Sequence, residues 1–301
     1  MDMMLTVDRL QRLTQELKTF RYSHIMHVDS IEIAPCTNSY DKPGVFKSFE
    51  NGGSWGEYDK HFWFRIKFTI PEIYQNRTVV LLVSTGKEGE WDATNPQFLA
   101  FVNGKLVQGM DVNHTELIIA DNAKANEEYV IDLHAYSGLN EGKSFFRCSA
   151  AVLEKEVEEL YYDIKVPLDA LECLSKNDKR YVDILGYLKN TVALIDFRKA
   201  HGHDETFMDS VKRAIKYIKE NFYEKYCGNE DVIVSGIGHT HIDVAWLWTL
   251  SQTREKAVRS FSTVLELMKR YPEYRFMSSQ PSFMNLSRRT GRIYMIKSVQ
   301  K

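Results

Sequence analysis

The sequence predicts a multidomain α+β chain in which a β-sandwich, a helical connector and a βαβ unit follow one another. Changes in the period of the hydrophobic pattern support this organisation of the 301 residues. Apolar and polar residues alternate with a period of two over about residues 22–155, and apolar residues recur at helical spacing over about 156–230. A strand, a helix and a second strand are predicted from Asp231 onward. Residues 1–21 form a separate amphipathic segment, which we predict to be an N-terminal helix.

The β-sandwich is predicted from short strands without long helices between them. In residues 61–70, HFWFRIKFTI, apolar and polar side chains alternate as in a half-buried strand. Residues 78–84, TVVLLVS, suit a strand that is covered on both faces. Asn103 and Gly104 stand between two apolar runs, which predicts a hairpin because both turn positions need a positive φ. Many such strands indicate a sandwich.

The connector is predicted to be helical, with shorter helices at residues 168–174 and 178–195. Residues 204–223 carry apolar side chains at helical spacing. We expect these side chains to share one buried face: Phe207, Val211, Ala214, Ile215, Ile218 and Phe222.

The βαβ unit is predicted from the last part of the chain. Residues 231–237, DVIVSGI, are a short β-branched run of the kind found in buried parallel strands. A helix with an apolar stripe follows over about 253–271 and ends at Pro272. Residues 275–279, RFMSS, are predicted to form the second strand.

Composition excludes several classes of function. The formal net charge of −2 gives no indication of a nucleic-acid partner, and no apolar run reaches the roughly 18 residues of a membrane span. The N-terminus has no apolar signal core, so we expect a cytoplasmic protein. The cysteines lie far apart and are expected to be reduced: Cys36, Cys148, Cys173 and Cys227.

The loop after the predicted strand carries the candidate chemistry. His239, His241 and Asp243 alternate, so an extended backbone would project their side chains to the same side. Imidazole and carboxylate groups suit Zn²⁺, and the end of a parallel strand is where α/β barrels place their active sites. Spacing alone leaves a metal site and a structural hydrogen-bond network equally open. Trp246 and Trp248 suit either core packing or contact with a sugar ring.

Two segments of the sequence resemble a known family. Residues 239–281, HTHIDVAWLW through TREK and YPEY to SSQP, resemble the start of the catalytic domain of the glycoside hydrolase family 38 α-mannosidases. Residues 96–119, PQFLAFVNGKLVQGMDVNHTELII, are similar to the N-terminal β-sandwich of the cytosolic, vacuolar and bacterial branch of that family. The resemblance extends over about residues 22–281, and the order of the motifs makes it specific.

The resemblance implies a function and a set of site residues. The family consists of retaining exo-α-mannosidases with a seven-stranded α/β barrel behind the sandwich, and they act on mannose-containing oligosaccharides. Zn²⁺ is the expected cofactor, with Co²⁺ as an alternative. By the family motif, His241 and Asp243 are metal ligands and Trp246 supports the sugar ring. His239 is expected to orient a ligand or to serve as a further ligand. Self-association is left open.

The family's two catalytic carboxylates lie downstream and have no match in this sequence, so no catalytic residue is assigned. Residues 231–301 are far fewer than the roughly 250 of a closed barrel. They would therefore form only the first βαβ unit of an incomplete barrel, at residues 231–281. Residues 282–301 form a divergent tail with five basic residues and no acidic one. We expect a truncated or frameshifted gene product that is inactive. The loss of the family pattern in the tail could alternatively reflect a boundary set in cloning or a divergent helix.

Two other classes of function remain open. Metal-dependent amidohydrolases also carry an HxH motif after their first strand, but they do not predict Asp243 or the preceding sandwich. A non-catalytic sugar-binding or interaction module is the other alternative.

Overall fold

The computed structural model describes residues 3–36, 43–229 and 233–280. The chain divides into two compact units. The first, the helical unit, comprises Met1–Ile25 and Ala151–Val234. The second, the sandwich unit, comprises Met26–Ala150 and Ser235–Lys301. The N-terminal helix and the predicted connector therefore fall within one unit, although more than a hundred residues separate them in the sequence.

The described residues of the helical unit form four α-helices, which are α1 (Met3–Thr19), α2 (Lys155–Ala170), α3 (Lys179–Ala193) and α4 (Glu205–Tyr217). A π-helical segment, Ile218–Tyr226, continues α4, and short 3₁₀ turns lie at Leu171–Cys173, Phe197–Lys199 and Cys227–Asn229. Asp178 and Asp204 cap α3 and α4, because their side chains accept bonds from the backbone N–H groups of Arg180 and Thr206.

The apolar face predicted for residues 204–223 is buried in the core of this unit. Its most enclosed side chains are Phe207, Val211, Ala214, Ile218 and Phe222, and Ile215 packs against them partly buried. Helices α1 and α2 contribute the opposing side chains, including Leu17, Leu160 and Ile164. The two remote segments hold together because each supplies one side of the same core.

The sandwich consists of short strands, which are β1 (Tyr22–His27), β2 (Ile31–Cys36), β3 (Lys47–Ser48), β4 (Ser54–Trp55), β5 (His61–Thr69), β6 (Val79–Ser84), β7 (Gln97–Val102), β8 (Lys105–Asp111), β9 (Glu116–Ala120), β10 (Glu128–Tyr136), β11 (Ser144–Phe145) and β12 (Arg147–Leu153). Short 3₁₀ turns lie at Glu72–Tyr74 and Asp92–Thr94. The larger sheets have the strand orders β1-β12-β6-β9 and β3-β2-β5-β10-β7-β8, and β11 pairs with β4.

The predicted hairpin is present between β7 and β8. Val102 pairs with Lys105, and Asn103 and Gly104 both have a positive φ, at 49° and 76°. The alternation predicted for β5 also holds, since Phe64 and Ile66 are fully buried while Lys67 is exposed. The ring of Phe64 stacks on Phe146 at a centroid distance of 4.0 Å.

The βαβ arrangement lies in the sandwich unit, as β13 (Gly238–His239), α5 (Leu250–Arg270) and β14 (Phe276–Met277). The two strands are parallel, with His239 opposite Met277. Ile242, Ala257 and Phe261 form a small core with Phe276 between the helix and the strands. Each strand has two residues, so the incomplete barrel stays a prediction.

The prediction of a strand at residues 231–237 is wrong for residues 233–237, the part that the structure describes. Residues 233–237 form no strand, and the side chains of Ile233 and Val234 are 92% and 85% exposed. A β-branched run becomes a buried strand only when neighbours pair with its backbone and cover its faces. Among the described residues, the only strand that pairs with this region is β14, and it does so at 238–239. Positions 231–232 and the basic tail lie outside the described residues.

In the described part of the chain, every helix is too short or too polar to cross a membrane.

Candidate functional site

A cleft of about 550 Å³ lies within the sandwich unit. One wall comes from the sandwich, from loops and the end of β8, and includes Trp91, Asp111 and His114. The other wall comes from the βαβ segment and includes the two predicted histidines, the two tryptophans of the AWLW run and two cationic side chains from α5: His239, His241, Trp246, Trp248, Lys256 and Arg259.

Helix α5 lies against the outer face of the six-stranded sheet and so fixes the position of the cleft. His61, at the start of β5, contacts the carboxylate of Glu255 at 3.0 Å, and Arg259 approaches the same carboxylate at 3.7 Å. Arg259 also bonds to Gln97 of β7. The side chains of these groups are largely buried, although an isolated sheet would expose this face to water. The polar face of the sheet is therefore a docking surface for α5.

The ionisation of Glu255 follows from these neighbours. Burial pushes the pKa of Glu255 upward, but the bond from His61 and the charge of Arg259 outweigh it and leave the pKa below its usual value. Burial lowers the pKa of Arg259 despite the nearby carboxylate. The buried carboxylate therefore stays ionised at neutral pH and balances the guanidinium charge.

Thr253 holds the loop that precedes α5. Its hydroxyl oxygen accepts from the backbone N–H of Ala245 at 3.0 Å and from the indole Nε1 of Trp248 at 3.1 Å. Thr249 caps the helix by accepting from the backbone N–H of Gln252 at 3.3 Å. Ala245 has a φ of +52°, which is uncommon for a residue with a Cβ atom. Two threonines of the motif region thus stabilise a strained turn directly before Trp246.

The SSQP segment closes the other side of the loop. The amide of Gln280 bonds to both backbone groups of Ile242, donating to its carbonyl and accepting from its N–H, each at 3.1 Å. Ser279 lies 2.9 Å from Nε2 of His239. Gly238 has the side chain of Tyr274 where a Cβ atom would stand, at 2.2 Å. The absence of a side chain at Gly238 therefore permits this close contact.

Of the three side chains expected to project to the same side, His241 and Asp243 lie in contact, whereas His239 contacts Ser279. Nε2 of His241 lies 3.0 Å from Oδ1 of Asp243, and both side chains are open to solvent. Two ligands of one tetrahedral Zn²⁺, each about 2.1 Å from the ion, lie roughly 3.4 Å apart. The 3.0 Å separation is close to this spacing and is also that of a hydrogen bond between the two side chains. Within residues 3–36, 43–229 and 233–280, no group of three or more His, Cys, Asp or Glu side chains is arranged to hold a metal.

Trp246 lines the same cleft as His241, with 57% of its surface exposed. Its ring meets Trp91 edge to face at 5.7 Å and Trp248 edge to face at 5.5 Å. The ammonium group of Lys256 lies 4.4 Å from the ring centroid of Trp248. Burial, with the nearby Arg259, lowers the pKa of Lys256 to about 8. The cleft thus combines exposed aromatic rings with charged groups.

Sequence reasoning missed the sandwich wall of the cleft and the side chains that fix the loop. Trp91 stands in a polar loop, GEWDATNPQ, outside any apolar pattern, and that isolation was the available signal. Thr253, Ser279 and Gln280 lay inside the motif segments but carried no individual prediction. The sequence gives no indication that Lys256 lines the cleft, because the neighbours of this side chain depend on how α5 packs against the sheet.

Comparison with known proteins gives two family matches. Residues 22–161 match the model described as alpha-mannosidase, jelly roll domain. Residues 231–294 match the glycosyl hydrolases family 38 N-terminal domain, and this range contains the candidate loop. The resemblance to the family 38 α-mannosidases is confirmed.

Several alpha-mannosidases are similar to this chain. Alpha-mannosidase G of Dictyostelium discoideum is 22% identical over 91% of this chain and 27% of its own length. Human Alpha-mannosidase 2C1 is 28% identical over 78% of this chain and 23% of its own length. The alpha-mannosidase of Saccharomyces cerevisiae is 26% identical over 72% of this chain and 21% of its own length. The chain thus spans about a quarter of the length of these α-mannosidases.

Among solved structures, a β-glucuronidase from Ruminococcus gnavus aligns with 44% of this chain and 30% of its own. The sequence identity is 12% and the TM-score is 0.31, which is a weak likeness.

Proposed function

We propose that residues 235–280 begin the catalytic domain of a metal-dependent, retaining exo-α-mannosidase. The whole protein would release terminal α-mannose from oligosaccharides. The observation that carries the proposal is the contact between His241 and Asp243 at 3.0 Å, at a cleft that His241 and the exposed Trp246 both line. The similarity to alpha-mannosidases supports it. In this proposal β13, α5 and β14 are the first βαβ unit of the family's seven-stranded barrel.

Two side chains would hold the metal, Zn²⁺ or alternatively Co²⁺. The imidazole Nε2 of His241 and the carboxylate of Asp243 are suitable ligands, and both are accessible. When bound, the ion would supply Lewis acidity toward neighbouring hydroxyls of the sugar. His239 is directed to Ser279, so we assign it a role in orienting the loop rather than in binding the metal.

The remaining residues of the loop would position the sugar. Trp246 offers an exposed ring on which the C–H face of a pyranose can pack. Thr253 and Gln280 hold the loop backbone on either side, so the ring and the ligands keep their relative positions. A retaining glycosidase also needs two carboxyl groups about 5–5.5 Å apart. No motif in this sequence matches those groups, so we expect the 301-residue chain to cleave no mannoside. We expect it to bind metal weakly, because a catalytic zinc site commonly has three protein ligands and the proposal names two.

Calorimetry with Zn²⁺ tests the ligand assignment without relying on activity. The unmodified chain should bind one ion weakly, and His241→Ala or Asp243→Ala should each abolish the binding heat. His239→Ala is the matched control, because it removes an imidazole from the same loop and should leave most of the affinity. Tight binding that survives both ligand substitutions would place the site elsewhere.

An aryl α-mannoside assay with and without Zn²⁺ or Co²⁺ tests the expected lack of activity. We expect no hydrolysis by the 301-residue chain under either condition. Metal-dependent cleavage by the purified chain would show that these residues already contain a complete active site.

A non-catalytic sugar-binding module is the second candidate, and the exposed tryptophan pair at 5.7 Å favours it. The candidates differ in their dependence on metal. Binding of a mannoside that is unchanged by a chelator would support the binding module. Binding that is lost with the metal would support the mannosidase. An amidohydrolase-type enzyme is disfavoured, because the family 38 match covers the HxHxD loop.

A further inference from the structure

Trp91 is an exposed aromatic side chain with no role in the proposed site so far. It lies in the sandwich wall of the cleft with 52% of its surface open to solvent. Its ring faces Trp246 at 5.7 Å with an interplanar angle of 72°. Trp55, by contrast, is buried in the sandwich core. Large apolar surfaces that stay exposed in a cleft often mark a place where a ligand binds.

The backbone around Trp91 is fixed by side chains from both flanks. Its carbonyl accepts from the amide of Asn95 at 2.8 Å. Asn113 bonds to the carbonyl of Glu90 and to the N–H of Gly89, both at 3.0 Å. A backbone held in this way loses little conformational freedom when a ligand packs on the ring, so the loop is organised before binding.

A polar group completes this wall. Nδ1 of His114 contacts the carboxylate of Asp111 at 2.9 Å, and Asp111 also accepts backbone N–H bonds from Asn113 and His114. The imidazole is 74% exposed and lines the cleft, so its Nε2 is available to a hydroxyl group. Asp92 lines the same wall. An aromatic face beside hydrogen-bonding groups is the combination that a sugar ring requires.

We propose that Trp91, Asp92 and His114 form a second sugar subsite, which holds the residue next to the terminal mannose of an oligosaccharide. The proposal rests on the proposed function, in which Trp246 supports the terminal residue. Because the two indole planes differ by 72°, they form a corner that receives two linked sugar rings at an angle to one another. The β-sandwich thereby contributes to the choice of oligosaccharide.

Saturation-transfer NMR on the zinc-loaded chain tests this, with α-mannobiose and methyl α-mannoside as probes. We expect α-mannobiose to bind more tightly, and Trp91→Ala to reduce its affinity about fivefold without changing that of methyl α-mannoside. Trp246→Ala should weaken both. Trp91→Phe should retain part of the difference in affinity between α-mannobiose and methyl α-mannoside, and His114→Ala should reduce that difference.

Phe145→Ala is the matched control, since Phe145 is 51% exposed but lies outside the cleft lining. Circular dichroism checks that each variant folds. If Trp91→Ala reduced the affinity for α-mannobiose and methyl α-mannoside equally, or reduced neither, the subsite proposal would be overturned and the mannosidase proposal would stand. Binding of cellobiose but of neither mannoside, with the same dependence on Trp91, would support the subsite and overturn the mannose assignment. A chain that binds none of these sugars would overturn both.

Discussion

At the scale of single residues, Gly109 shows how closely α5 approaches the sheet. A Cβ atom at this position would lie 2.6 Å from Cβ and 3.0 Å from Cα of Arg259. The N–H of Gly109 also donates to the hydroxyl of Thr263 at 3.0 Å. We predict that Gly109→Ala lowers the free energy of unfolding of the sandwich unit by about 1–3 kcal/mol, because the helix must shift. Urea denaturation followed by tryptophan fluorescence measures this.

Gly142→Ala is the control for Gly109→Ala, because nothing lies within 4 Å of the added methyl group. Its free energy of unfolding should stay close to that of the unmodified chain. Equal effects of the two substitutions would mean that α5 does not pack on β8 as described.

Lys256 gives a prediction about pH. Burial lowers its pKa to about 8 from the usual 10.5, so the unfolded state holds this proton more tightly than the folded state. The contribution of Lys256 to stability therefore increases as the pH rises through about 8 towards 10.5. Lysine ¹³Cε NMR should show one resonance that titrates near pH 8 and is absent in Lys256→Met. A titration of this resonance near 10.5 would contradict the partly buried placement of Lys256.

At the scale of elements, the docking of α5 depends on the charge of Glu255. Its pKa lies below the usual 4.5, so the stabilising contribution of the carboxylate is complete above that pH and is lost as the pH falls through the lowered value. We predict that α5 loosens in acid below pH 4.5. At pH 7, Glu255→Gln should cost roughly 3 kcal/mol, because Arg259 is left buried without its counter-charge.

The control on the same helix is Glu266→Gln. Glu266 pairs with Lys269 and Arg270 near the end of α5, where such ion pairs contribute less than about 1 kcal/mol. Urea denaturation at pH 7 and pH 4 measures both variants. If Glu255→Gln keeps the full acid sensitivity of the unmodified chain, another group is responsible.

The same elements show what the sequence predicts and what it cannot. The hairpin at Asn103-Gly104 and the alternation in β5 are encoded locally, so both were predicted. The run at 231–237 has the composition of a buried strand, but its described residues lack strand neighbours. His61 illustrates the opposite case, because a histidine on the polar face of a strand gives no sign that a helix nearly 200 residues later will bury it.

The candidate site divides in the same way. His241, Asp243 and Trp246 lie within six residues of one another, so their proximity follows from the sequence. Trp91 and His114 reach the cleft only because the sandwich and α5 pack together, and that contact depends on tertiary structure.

At the scale of the whole molecule, each unit is assembled from two separate segments of the chain. The sequence pattern predicts segments that follow one another along the chain. It does not predict that α1 shares a core with α2 and α4, because the sandwich sequence lies between these helices. Units of this kind have their own hydrophobic cores and are expected to unfold as separate cooperative steps.

Matched substitutions of two fully buried phenylalanines test this division. Phe207 lies in the core of the helical unit, and Phe64 lies in that of the sandwich unit. Phe207→Ala and Phe64→Ala should each cost about 3–5 kcal/mol, through lost burial and the cavity left behind. We predict that each substitution increases hydrogen exchange mainly in its own unit, as measured by mass spectrometry. If either substitution accelerates exchange equally in both, the two cores unfold as one cooperative structure.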